Sequence, residues 1–220
     1  MDFWNITENF LWRDSDHVLG IRALLLHNIK ECISHLFPNG KFYKKKICIA
    51  DLQNQQVVVD MKAGNWSSLS TNKNGDIISL WALVKGKTKL IEVIDSISKW
   101  LSAERFTYIN GQYVYLYHNN RYFAWNSKTR RNSIPHSRPL FNIPGIAKSD
   151  RVVIVKGEKC AESLIKHGIT ATTVMFGVDD SIEQTDWSPL HSKHIIIWSD
   201  NNLAGKQYAQ KIATTINNLK

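Results

Sequence analysis

Three hydrophobic rhythms run along the chain, and each predicts a different kind of element. In the last third, two short runs rich in β-branched residues, 152–155 and 195–198, are each followed by a turn and then by apolar positions at helical spacing. Short unbroken apolar runs suit strands covered on both faces, so the pattern predicts parallel strands joined by crossover helices. Near the amino end, Val18, Ile21, Leu25, Ile29, Cys32 and Ile33 recur every three or four residues. They predict one helix from Asp16 to about Leu36, stopped by Phe37-Pro38-Asn39-Gly40.

Between these lies a mixed stretch. Ile47 to Ala50 and Val57 to Val59 read as strands around a turn at Asp51 to Gln55, with a further turn before Trp66. A helix carrying Ile77, Ile78, Leu80, Trp81 and Leu83 follows, then a second, Leu90 to Leu101, expected to turn Ile91, Ile94, Ile97 and Leu101 inward. The alternation Gln112-Tyr113-Val114-Tyr115-Leu116-Tyr117, bracketed by Asn110-Gly111 and Asn119-Asn120, predicts a meander of hairpins. Pro139 and Pro144 punctuate an extended connector ahead of the parallel strands. A final helix is expected from about Ala204 to Leu219.

Charge changes this picture more than composition does. The 220 residues are 43% hydrophobic and 21% charged, as in a globular chain with a real core. The net charge is +9, yet residues 151–220 hold eight Lys and Arg against seven Asp and Glu. The basicity therefore sits in the first 150 residues and points to a polyanionic partner. Residues 105–149 contain no Asp or Glu, and there Arg105, Arg121, Arg130 and Arg131 interleave with Phe106, Tyr108, Tyr113, Tyr115, Tyr117, Tyr122, Phe123 and Trp125. Cations for phosphates and rings for bases are what a single-stranded nucleic acid surface requires, although Tyr and Phe also simply suit strands. Three cysteines, Cys32, Cys48 and Cys160, form no paired motif. Neither a disulfide framework nor a zinc ribbon is indicated, and a reducing cytoplasm is expected. No apolar run is long enough to span a bilayer, and the start has no secretory pattern.

Candidate chemistry gathers where each carboxy-terminal strand becomes a helix. Lys156-Gly157-Glu158-Lys159 follows the first strand and Ser199-Asp200-Asn201-Asn202 the second. Acidic residues at strand ends hold hard divalent cations, while Asp and Asn are equally ordinary helix caps. On the residues alone both readings stand.

The runs VVIVKGEKCAESLIKHG, TDWSPL and HIIIWSDNNLAGKQYAQKIA together resemble the Toprim domain of plasmid- and phage-type DNA primases. The segment GNWSSLSTNKNGDIISLWALVKG resembles part of the amino-terminal primase module. The resemblance implies an α+β amino-terminal module, a small antiparallel sheet with helices, followed by an α/β Toprim-like (Rossmann-like) domain with a mostly parallel sheet. The implied divisions are a helical segment 1–36, a zinc-less ribbon-like module 37–102, a basic hairpin region with connector 103–148, and the Toprim-like domain 149–220.

In that family the first strand ends in Glu-Gly and the third in Asp-X-Asp, so Lys156 and Asn202 stand where carboxylates are expected. Asp200 is then the implied catalytic residue, with Glu158 as substitute acid and Mg²⁺ held by Asp200 and Asn202. Lys44, Lys45, Lys46, Arg121, Arg130, Arg131 and Lys156 are the implied nucleic-acid-binding residues. In the amino-terminal module Ser68 to Thr71 replace zinc ligands, so apolar packing around Trp66 and Trp81 is expected to replace a structural zinc. The expected function is that of a primase-like replication protein of a mobile element. It binds single-stranded DNA beside a replicative helicase, with at most weak Mg²⁺-dependent nucleotidyl transfer; the alternative is an inactive binding module of the same fold. The related fold would continue past Lys220 into a further strand, so the expectation is a sheet edge left open, an edge completed by another polypeptide, or a remnant or truncated product.

Overall fold

The computed structural model describes residues 16–44, 46–52, 55–177 and 182–218. The aromatic start with Phe3, Trp4, Phe10 and Trp12, and Lys45, lie outside the described residues. The chain divides into two compact units, 1–103 and 104–220, and the fold is mixed α+β with both antiparallel and parallel sheets. No helix among the described residues is long and apolar enough to cross a membrane.

The first unit opens with α1 (Asp16–His27) and α2 (Ile29–Leu36) in place of the single expected helix. The break has a local cause. Asn28 is buried, and its side-chain amide donates to the Leu24 carbonyl at 2.9 Å, where an unbroken helix has only its own backbone bond. A five-stranded antiparallel meander follows: β1 (Lys41–Tyr43), β2 (Ile47–Leu52), β3 (Gln55–Asp60), β4 (Trp66–Ser68) and β5 (Asn74–Gly75). Pairing of β2 with β3 runs out to Leu52 and Gln55, so the expected turn at Asp51 to Gln55 is largely strand.

Asp76 caps α3 (Ile77–Val84) by accepting from the Ser79 amide at 3.0 Å. In α4 (Leu90–Leu101) Ile94, Ile97 and Leu101 are buried as expected, but Ile91 is exposed and Val93 is buried instead. The sequence spacing tolerates either, and the true stripe runs 93, 94, 97, 101. Trp66, in register with Val59, and Trp81 are buried, and each indole donates to a serine hydroxyl, Ser79 and Ser96, at 3.1 Å. His35 stacks on Trp81 and Trp100 with ring centroids 5.5 and 5.1 Å away.

The second unit holds the expected meander as β6 (Glu104–Thr107), β7 (Gln112–Tyr117) and β8 (Arg121–Asn126). Next come β9 (Arg138–Pro139), α5 (Ile143–Ala147), β10 (Arg151–Ile154), α6 (Glu158–Lys166), β11 (Ala171–Thr172), β12 (Thr185–Asp186), β13 (His194–Ile197) and α7 (Leu203–Asn217). The predicted strands 152–155 and 195–198 are β10 and β13, and they are parallel, with β10 central in the order β11-β10-β13. Val152 and Ile154 of β10 pack with Leu190 and Ile212 on one face. Val155 packs with Ala161 on the other.

Two expectations about the middle of this unit are corrected. Residues 104–148 form no separate module: Phe106, Tyr108, Val114 and Leu116 share one core with Val155, Ala161, Ala171 and Met175. The connector is also not an extended spacer. Pro139 pairs in parallel with Asp186, and Pro144 sits in the first turn of α5, where its missing N–H costs nothing. Phe141 is tied to the strand side by its amide to Thr173 at 3.0 Å and its carbonyl from the Thr172 hydroxyl at 2.6 Å.

Candidate functional site

The carboxyl edge of the parallel sheet opens into a cavity of about 350 Å³, lined by Lys156, Glu183, Ser199, Asp200, Asn202 and Tyr208 among others. Local structure delivers each of them. Lys156 leaves β10 at the turn before α6, and Gly177, with φ of 62°, lies so close to the Lys156 carbonyl that a Cβ there would collide. Asp200 follows β13. The first turn of α7 packs directly on the Asp200 backbone through Gly205, which likewise leaves no room for a side chain. Asn202 is the cap of α7, its Oδ1 accepting from the Gly205 amide at 2.8 Å.

The two charges at the rim are spent on each other. Lys156 Nζ donates to Asp200 Oδ2 at 2.8 Å, both side chains being about half exposed. The hydrogen bond to Asp200, and then its negative charge, hold the Lys156 ammonium above the ordinary lysine range. Tyr208 contributes a phenol whose oxygen is buried in the wall without a hydrogen-bond partner among the described residues. Burial, and then the charge of Glu158, push it up to about 12.

Glu158 corrects the sequence expectation. Instead of swinging toward Asp200, its side chain is buried, with Oε1 accepting from the Tyr108 hydroxyl at 2.8 Å and the Phe176 amide at 3.0 Å. Burial raises its carboxyl above the usual range against the pull of those donors, and the same burial raises Tyr108. It begins α6, where the N-terminal dipole favours an acid, and it does not line the rim cavity. A divalent cation of the Mg²⁺ type needs about six oxygen ligands, several of them charged. Asp200 is paired with an ammonium, Asn202 is committed to its cap, and Glu158 is buried elsewhere. None of the three residues expected at the metal is thus left open to a cation, and among the described residues no group of three His, Cys, Asp or Glu could hold one.

Within the second unit the expected nucleic-acid residues do not form one patch. Arg121 starts β8 with its guanidinium 4.8 Å from the Tyr117 ring centre, while Arg130 and Arg131 lie beyond the other end of that strand. The rings expected to stack with bases are mostly core: Phe106, Tyr108, Tyr115, Tyr117, Phe123 and Trp125 are all buried. Both faces of the hairpin sheet bury side chains, so alternation could not put a row of rings in water.

The exposed combination lies in the first unit. Lys44 and Lys46 belong to the turn joining β1 to β2, closed by the Lys46 amide donating to the Tyr43 carbonyl at 3.0 Å. Beside them Phe42 is 38% and Tyr43 51% exposed, and Lys41 begins the same strand. The strand β1 pairs only with β2 among the described residues. Lys41, Phe42 and Tyr43 were not singled out from the sequence, although they adjoin the triple lysine.

No protein-family profile matches the chain, and no curated protein matches it.

Proposed function

We propose that the protein binds single-stranded DNA as a noncatalytic relative of the Toprim-type primases, working beside a separate replication protein such as a helicase. The observation that carries this reading is the β1 edge, where Phe42 and Tyr43 are exposed among Lys41, Lys44 and Lys46. Cations contribute sequence-independent attraction to the backbone, and each stacked base adds about 1–3 kcal/mol. Kinship with the primases is supported by the parallel β11-β10-β13 sheet and by polar turns after β10 and β13 that meet at one rim. The absence of catalysis is supported by the Lys156–Asp200 pair, in which the carboxylate expected to hold a metal ion neutralises an ammonium instead.

Titration of a labelled oligothymidine into the full chain tests the reading. Binding should fall steeply with salt and persist in EDTA. No binding at low salt refutes it. Primer synthesis from nucleoside triphosphates that Asp200→Ala abolishes would refute the noncatalytic part alone.

A further inference from the structure

The five-stranded sheet of the first unit has two unlike faces, and its register assigns each residue to one of them. Residues paired across neighbouring antiparallel strands point to the same side. Cys48, Val59 and Trp66 form one such row, and all three are buried. The next row, Lys41, Ile49, Val58, Ser67 and Asn74, crosses all five strands and points the other way. Lys41, Ser67 and Asn74 are exposed, and Ile49 and Val58 are half-buried. On the same face Tyr43 pairs with Ile47, and the two are 51% and 42% exposed. The solvent side of an antiparallel sheet is ordinarily polar. Here Tyr43, Ile47, Ile49 and Val58 run together across it as one apolar strip.

We propose that single-stranded DNA crosses this face from β1 to β4 instead of following the β1 edge, an inference that rests on the DNA binding proposed above. Its bases lie on the strip from Tyr43 to Val58, because unstacked bases settle on rings and apolar surface and a sheet face supplies a flat platform. Charge selects this occupant. The crossing row holds Lys41 and no acid, and Lys44 and Lys46 stand in the turn next to Tyr43. Of the two acids on the face, Asp60 already accepts from the amides of Lys62 and Ala63 at 2.7 and 3.0 Å. Asp51 lies toward the other end of β2 from the lysine turn. At about 4.8 Å per strand the row is about 19 Å long, which suits the short end of single-strand site sizes, about four nucleotides.

Ser67 separates the two paths. It is exposed on β4, three strand spacings or about 14 Å from β1, which exceeds the screening length of about 8 Å at about 0.15 M salt. A charge placed there is felt by a strand that crosses the face and screened from one that keeps to the edge. In anisotropy titrations of the full chain with labelled oligothymidine at that salt, Ser67→Glu should weaken binding at least about threefold, and Ser67→Lys should tighten it by a similar factor. Opposite changes at one exposed position do not arise from a damaged fold, and the thermal midpoint of both variants should stay where it is. If both variants bind like the unaltered chain while Lys44→Ala with Lys46→Ala still weakens binding, the DNA keeps to the β1 edge, and the crossing path alone is overturned. Weakening by both Ser67 variants alike overturns it as well. An unaltered chain that binds no oligothymidine at low salt removes the binding reading itself, and this inference with it.

Discussion

Two stretches of this chain mix cations with aromatic rings, and the structure treats them in opposite ways. In the hairpin sheet β6–β8, Phe106, Tyr115, Tyr117, Phe123 and Trp125 are buried. Arg105 and Arg121 lie 5.4 and 4.8 Å from the ring centres of Tyr113 and Tyr117. In β1, Phe42 and Tyr43 stand in solvent at an edge that pairs with no other strand among the described residues, next to lysines in a turn. Composition is the same in kind. What separates them is coverage: rings on a sheet with both faces covered stabilise the fold, and only rings left wet are available to bases.

The comparison can be broken at either end. The largest effect expected is from Phe106→Ala, which should cost about 3–5 kcal/mol of stability. Chemical denaturation measures it, and the protein that remains folded should bind oligothymidine as before. A loss of DNA affinity without loss of stability would show that the hairpin rings do contact bases.

Next, Phe42→Ala with Tyr43→Ala should weaken oligothymidine binding by about 1–3 kcal/mol per stacked base, roughly tenfold or more. The denaturation midpoint should barely move, since these rings are exposed. Unchanged affinity in an anisotropy titration would remove β1 from the interface. A smaller change is expected from Lys44→Ala with Lys46→Ala, which should flatten the dependence of log affinity on log salt by about 1.4, at roughly 0.7 for each phosphate contact on a single strand. Arg130→Ala with Arg131→Ala serves as the contrast and should leave that slope as it is.

The smallest effect concerns Glu158, which anchors Tyr108 in the connection from β6 to β7. Burial raises its carboxyl in the folded chain, so the folded state holds the proton more tightly than the unfolded state. That contribution is complete below the ordinary carboxylate value and is lost as pH rises through the raised one. Glu158→Gln should therefore flatten stability against pH across that window, measured by denaturation from about pH 4 to 8. Tyr108→Phe should leave the carboxyl raised and more so, because it removes one donor that favours the charged form.

How much was legible without the fold follows from how far each feature reaches along the chain. The strands β10 and β13, the helices α3, α4 and α7 and the meander β6–β8 were readable, since period acts over a few residues, while Asn202, expected at a metal, caps α7 instead. Even there Asn28 broke a helix that periodicity joined, because its side chain competes for a backbone carbonyl. Among the site residues, Lys156, Asp200 and Asn202 were found as strand-end polar groups.

Their relation was not readable. Lys156 and Asp200 are 44 positions apart and meet only because β10 and β13 are neighbours. Glu158 sits two residues from Lys156, yet faces away into the core toward Tyr108, 50 positions earlier. Period and local chemistry thus set which segments became strands and helices. Tertiary packing alone decided which acid was buried, which was paired and which rings stayed wet, because burial and contact depend on residues far away in the chain.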